Sequence, residues 1–302
     1  MKLDFQNIKI LVIGDFMVDH YLFGTSDRFS PEAPIPVVNL QEELIVPGGA
    51  GNVAMNLKSF GAEVTCVGCL GNDHMGKKLL NIFQDNKINI NHLELINNHQ
   101  TTIKQRIYCE SVQQSRLDSE IFINDWIPSE SINYLDYDFI ILSDYNKGVF
   151  HKNWFTKKDV TVALDPKLYN AHLFKNSDII TPNIKELADL TKLEVSDDIL
   201  IEKAAKKLIN EHGIQDIVVT RGDQGMSIIN NNKVRHIPSL KVDNPDVTGA
   251  GDTVISTLSL VYAKTGDIYL SASIANEAAS IVVGRRGTTK ITAKDIEKLI
   301  DI

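Results

Sequence analysis

Short apolar runs alternate along the chain with longer stretches in which apolar positions recur every three or four residues. The first run, Ile8–Gly14 (IKILVIG), is continuous and ends on glycine. Such a run suits a strand buried on both faces, as in a parallel sheet. Comparable runs lie at Ala62–Leu70, Asp138–Ser143, Val160–Leu164, Ile179–Thr181 and Ile217–Thr220. Helical spacing marks Gly49–Phe60, Asp73–Asn86, Asn183–Asp189 and Ser196–His212. From Gly249 the pattern is mostly helical, at Gly249–Lys264, Asp267–Val283 and Thr292–Ile300. Alternating strands and helices predict an α/β fold, a mostly parallel sheet with helices on both faces.

Two regions break the rhythm. His20–Thr25 and Ile35–Gln41 carry β-branched and aromatic residues with no helix between them, and Thr101–Tyr108 and Gln113–Asp118 read as a hairpin. These four predict a small antiparallel sheet projecting from a single domain that spans 1–302. Its segments are inserted at approximately 16–45 and 98–123. Such a sheet could act as a lid over a site.

Composition narrows the function. The 302 residues are 43% hydrophobic and 23% charged, enough for a sizeable core. A formal net charge of −8 speaks against a nucleic-acid-coating surface. No apolar run approaches the ~20 residues needed to span a bilayer. The first apolar segment lacks the basic flank and cleavage site of a signal peptide. The expected compartment is the cytoplasm, with no nucleic-acid or membrane partner. Cys66 and Cys69 form a C-x-x-C, but on a strand an i, i+3 pair points to opposite faces. They read as ordinary buried thiols.

The strongest chemical signal is Asp246–Thr253 (DVTGAGDT), a tight turn opening into a helix. Its small residues let backbone approach a ligand, and free amides at a helix start attract anions. Gly249, Ala250 and Gly251 are therefore candidates to hold charge developing on a transferred phosphoryl group, with Asp252 accepting a proton. A second glycine-rich helix entry, Pro47–Asn56, brings Gly48, Gly49 and Asn52 forward. A third signal, Asn183-Ile184-Lys185-Glu186, matches a capping box and also suits groups that organise magnesium through water beside nucleotide phosphates. Gly71–Lys78 nearly matches a phosphate loop, but Lys78 replaces the required hydroxyl.

In this order, GGAGN at Gly48–Asn52, NIKE at Asn183–Glu186 and DVTGAGDT at Asp246–Thr253 resemble the ribokinase (PfkB-type) family of carbohydrate kinases, over essentially the whole chain. Within it, Gly14–Tyr21, Arg28–Val38, Leu142–Gly148, Asp165–Lys167 and Ile281–Thr288 are similar to the heptose 7-phosphate kinase branch. That branch often forms the N-terminal half of a bifunctional protein with an adenylyltransferase domain. The chain would then be a stand-alone kinase or the kinase part alone.

The resemblance implies a ribokinase-like three-layer α/β/α fold. It also implies ATP and Mg2+ as cofactors and phosphorylation of the anomeric hydroxyl of heptose 7-phosphate. Asp252 would be the base and Gly249–Gly251 the anion hole. Asp19, Gly48, Gly49 and Asn52 would hold sugar hydroxyls, with Asp144 beside them. Arg106, Arg116 and Lys147 are the favoured ligands for the 7-phosphate, from a set that also includes Arg28 and Lys104. Asn183, Lys185, Glu186, Thr220, Gly222, Gly225 and Asn276 would line the nucleotide site, Glu186 reaching Mg2+ through water. Asp246 and Thr248 would help hold a monovalent cation, K+. The lid would pair in a homodimer. Asn146 stands where glycine is expected, changing either the sugar pocket or a turn, and Arg285-Arg286 is more basic than expected. A kinase for another sugar (ribose, fructose, fructose 1-phosphate), a nucleoside kinase and a non-catalytic sugar-phosphate-binding module are the rival readings.

Overall fold

The computed structural model describes residues 4–110, 112–157, 159–242, 246–285, 291 and 295. In chain order the strands and helices are β1 (Lys9–Gly14), β2 (Phe16–Thr25), β3 (Asn39–Gly49), α1 (Ala50–Ser59), β4 (Glu63–Gly71), α2 (His74–Asp85), β5 (Asn89–Ile96), β6 (Ile103–Cys109) and β7 (Val112–Ser119). They continue with β8 (Phe139–Ser143), β9 (Thr161–Asp165), α3 (Ala171–Lys175), β10 (Ile179–Ile180), α4 (Ile184–Thr191) and α5 (Asp198–His212). The last are β11 (Asp216–Thr220), β12 (Met226–Asn230), β13 (Val234–Ile237), α6 (Ala250–Thr265) and α7 (Ile268–Val283).

The large sheet runs β13-β12-β11-β10-β9-β8-β1-β4-β5, parallel except at the β11–β12–β13 edge. Residues alternate between its faces, as strand periodicity requires. Ile10 and Val12 of β1 join one apolar cluster with α1, α2, α6 and α7, while Leu11 and Ile13 join another with α3, α4 and α5. The same alternation separates Cys66 from Cys69, both buried and unpaired on opposite faces. The expected three layers are present.

The second sheet, β3-β2-β6-β7, pairs β2 with β3 and β6 with β7 antiparallel, and joins the two hairpins through a parallel β2–β6 seam. It projects from the ends of the large sheet. β2 is buried along Phe16–Tyr21, whereas β7 is exposed throughout.

Several boundaries differ from the sequence reading. The strand expected at Ile35–Gln41 begins at Asn39 and runs on to Gly49, leading straight into α1. Pro34 and Pro36 lack the N–H a ladder needs, so this stretch makes only an isolated bridge, Phe29 with Pro36, and the continuous ladder starts after it. β5, β12 and β13 were not anticipated. β5 (NINHLELI) is too polar for a buried run, and β12–β13 is a short antiparallel hairpin at the sheet edge. The near-phosphate loop is a capped helix: Asp73 accepts N–H bonds from Gly76 (2.8 Å) and Thr101 (2.7 Å). The helix expected at Thr292–Ile300, and Arg286, lie outside the described residues.

α6 is buried along Asp252–Val261 and packs between α1 and α7. β4 and β8 flank β1 on opposite sides, so a crevice opens at the C-terminal end of β1. Ligands of open α/β sheets settle at such a switch point. The N-termini of α1 and α6 converge there.

Candidate active site

Asp252, in the first turn of α6, is buried, and both its oxygens are bonded. Oδ2 accepts from Asn52 Nδ2 at 2.7 Å, and Oδ1 accepts from the Tyr145 hydroxyl at 2.6 Å. Burial is the largest influence on its acidity and pushes its pKa up to about 6. The two hydrogen bonds pull the other way, and the charge of Asp19 adds to the rise. A carboxylate poised near neutrality suits a general base. Gly249 caps α6 in the left-handed region (φ 77°), and Gly251 is exposed with open space above its Cα. Of the three candidate amides, that of Ala250 is engaged in a turn with Val247 O at 3.2 Å.

The segment after β8 builds one wall. Asp15, at the end of β1, is buried and accepts N–H bonds from Tyr145 (2.8 Å), Lys147 (3.0 Å) and Val149 (3.2 Å). Asp144 accepts from the Asn146 amide at 2.8 Å. Asn146 has φ 55°, a left-handed position that asparagine tolerates. The departure from glycine there is thus a feature of the turn. Burial, then the charge of Asp15, raises the Asp144 carboxyl to about 7.

A cleft of about 130 Å³ lies between Asp144, Tyr145, Asp165, Lys167, Thr220 and Gly251. Burial holds the Asp165 carboxyl well above its ordinary range, and the charges of Glu186 and Asp252 add to the effect. Asn183 and Glu186 form the expected capping box on α4, with bonds of 2.9 and 3.0 Å. Glu186 Oε1 also meets Lys167 Nζ at 3.2 Å. No group of three or more potential metal ligands exists among the described residues. The accumulated carboxylates nonetheless fit a divalent cation held mainly by phosphate and water.

The cleft continues into an open groove of about 470 Å³ lined by Asn183, Lys185, Thr220, Arg221 and Gly222. Gly225 closes the loop below it, and Asn276 on α7 donates to Pro238 O at 2.8 Å. The proposed nucleotide residues thus fall into a rim (Lys185, Thr220, Gly222) and a support (Gly225, Asn276).

On the sugar side, Asp19 and Arg106 are both buried and paired at 2.6 Å, with Arg106 over the Tyr21 ring. A Cβ on Gly48 would come within 2.5 Å of Asp19 Oδ2, so that glycine makes room for the carboxylate. Asn52, expected at a sugar hydroxyl, donates its side-chain amide to Asp252. Arg116 forms a fork with Asp118 (2.7 Å for both bonds), and Lys104 and Lys147 share Glu120 at 3.1 and 2.5 Å. Arg28 is exposed on the lid. Every favoured 7-phosphate ligand is therefore ion-paired.

Asp246 Oδ1 accepts from the Thr248 amide at 3.0 Å, and Asp246 N–H donates to Val283 O. Residues 243–245 and 286–290 lie outside the described residues, so the cation reading of this turn rests on the resemblance.

Tyr145, Asp15, Asp165 and Lys167 were not assigned roles from sequence. Each lies at or just beyond the C-terminal end of a parallel strand. A polar residue ending an apolar run was the available signal.

A buried carboxylate at a helix start thus stands beside a cleft at the sheet's switch point. Residues 7–295 match the pfkB family of carbohydrate kinases. The chain belongs to that family and is an ATP-dependent carbohydrate kinase. It is 33% identical to the Bifunctional protein HldE of Sulfurimonas denitrificans and 38% identical to that of Nitratiruptor sp., over 96% of this chain in each case. It spans 64% of the length of each of those relatives. The structure of Arabidopsis thaliana ribokinase complexed with ribose and ATP shares the fold, with TM-score 0.75 and 18% identity over 98% of this chain and 99% of that one.

Proposed function

We propose that the chain transfers the terminal phosphoryl group of ATP to the anomeric hydroxyl of D-glycero-D-manno-heptose 7-phosphate. The product is the 1,7-bisphosphate, a step toward ADP-heptose for the lipopolysaccharide core. The observation that carries the proposal is the buried Asp252, fixed through both oxygens behind the cleft wall that Tyr145 and Gly251 form. The likeness of Gly14–Tyr21, Arg28–Val38 and Leu142–Gly148 to the heptose 7-phosphate kinase branch supports the choice of sugar.

In this reading Asp252 takes the hydroxyl proton as the sugar oxygen bonds to the γ-phosphorus, and the bond to ADP breaks. The α6 start, Gly249–Gly251, faces the charge that develops on the phosphoryl oxygens. Glu186, through water, and Asp165 would hold Mg2+ bound with ATP, which would supply charge neutralisation. Asp19, Gly48 and Gly49 seat the sugar, and Asn52 serves it by holding the base. Arg106, Arg116 and Lys147 read the 7-phosphate, which must exchange with Asp19, Asp118 or Glu120 to reach them. Asp246 and Thr248 seat K+, and potassium titration of the rate tests that seat.

No helix among the described residues is long and apolar enough to cross a membrane. The proposed setting is the cytoplasm. A second copy of the chain covers the lid, where Leu40, Leu44, Val112 and Leu117 are exposed.

A substrate panel with products identified by phosphorus NMR tests the proposal. Heptose 7-phosphate should be turned over best, with the new phosphate at C1. Equal or faster turnover of ribose, fructose or fructose 1-phosphate would assign the chain to another sugar.

A further inference from the structure

Asp252 owes its place to two donors from distant elements, Asn52 on α1 and Tyr145 on the loop after β8. The backbone around Tyr145 is held on several sides. Its own amide and those of Lys147 and Val149 go to the buried Asp15, and Asp144 ties the amide of Asn146. The phenol is therefore delivered to Asp252 Oδ1 by a turn that two carboxylates hold in one shape.

We infer that Tyr145 is a positioning residue for the base, its hydroxyl aiming the Asp252 carboxylate and stabilising its charged form. The inference rests on the reading of Asp252 as the base. The charged groups acting on this pair are Asp19 of β2 and Asp165 of β9; behind them Glu186 of α4 and Lys167 act on Asp165, and Arg106 pairs with Asp19. Burial and the charge of Asp19 together oppose ionisation of Asp252. The phenol and the Asn52 amide are the groups that favour it. Burial holds the Tyr145 hydroxyl well above its ordinary range, so it remains a protonated donor across the working pH range. Losing it leaves one carboxylate oxygen without a partner in a buried site.

The test is the pH profile of kcat/KM from pH 5 to 9, compared among the wild type, Tyr145→Phe, a chain carrying 3-fluorotyrosine at position 145, and Asp252→Asn. Tyr145→Phe should move the acid limb upward by about one pH unit, with a loss of roughly fivefold at pH 6 that grows toward tenfold at pH 5 and fades by pH 8. The more acidic fluorophenol donates more strongly and should move the limb downward. A tyrosine that only filled space would lower the rate by one factor at every pH. An acid limb that stays put in Tyr145→Phe overturns the inference. If that variant fails to fold, an unmoved limb in the fluorotyrosine enzyme overturns it instead. Retention of the wild-type limb in an active Asp252→Asn would overturn the reading of the base itself.

Discussion

At the scale of single residues, the site is a group of carboxyls that the fold makes reluctant to ionise. Asp252 must be charged to accept a proton, and burial sets its pKa near 6. The account therefore expects kcat/KM to fall as pH drops below about 6. A profile flat down to pH 5 would contradict it. Asp144, raised to about 7 chiefly by burial, carries a stability consequence. Its folded pKa exceeds its unfolded value, so its contribution to stability is full below the unfolded pKa and is lost as pH rises through about 7. Asparagine imitates the protonated form and can still accept from the Asn146 amide. Asp144→Asn should stabilise the unliganded protein at pH 8 by up to about 4 kcal/mol, with the gain vanishing below about pH 4. Denaturant titration at the two pH values measures it. Asp252 was legible in the sequence because small residues and a carboxylate are contiguous there. Tyr145 was not, because its meaning comes from a contact 107 positions away.

At the scale of elements, glycines that look alike in the sequence do different work. Gly222 and Gly225 flank one short turn, both with positive φ. A Cβ at Gly222 would meet nothing within 4 Å, whereas at Gly225 it would lie 2.0 Å from the backbone oxygen of Ile237. Gly222→Ala should cost about 1 kcal/mol, the strain of the left-handed backbone alone. Gly225→Ala should cost more than about 3 kcal/mol, because β13 must shift. Thermal unfolding of the two variants separates the cases, and equal costs would contradict the close approach. On the sugar side, Gly48→Ala presses on Asp19, so it should raise the KM for sugar at least tenfold and leave that for ATP near normal. Equal effects on both substrates would place Asp19 elsewhere. Strand boundaries were legible where apolar runs are buried on both faces, as in β1 and β8. The lid strands were less so. The Pro34–Pro36 segment is β-rich in composition but cannot donate to a ladder, and the paired stretch that follows is mostly polar. The capping box of α4 was fully legible, since its two residues are neighbours in sequence.

At the scale of the whole molecule, the sheet's switch point gathers what three separate motifs supply. The N-termini of α1, α4 and α6 open onto one crevice, with the lid beside it. The order of strand and helix patterns was enough to predict the layers, because each layer only needs an apolar face of the right period. It could not predict how the lid's cations pair. That depends on which charges the hairpins place opposite one another, as in the Arg106–Arg116 register. The exposed apolar positions of the lid carry the expectation of a dimer. Leu117→Glu should shift sedimentation velocity toward the monomer, and an unchanged profile would contradict a lid-mediated pair. The central claim, that Asp252 draws the proton from the sugar, is tested most directly by single-turnover phosphoryl transfer in Asp252→Asn. The account predicts a loss of roughly 10²–10⁴ with ATP binding close to normal. A rate near that of the wild type would contradict it.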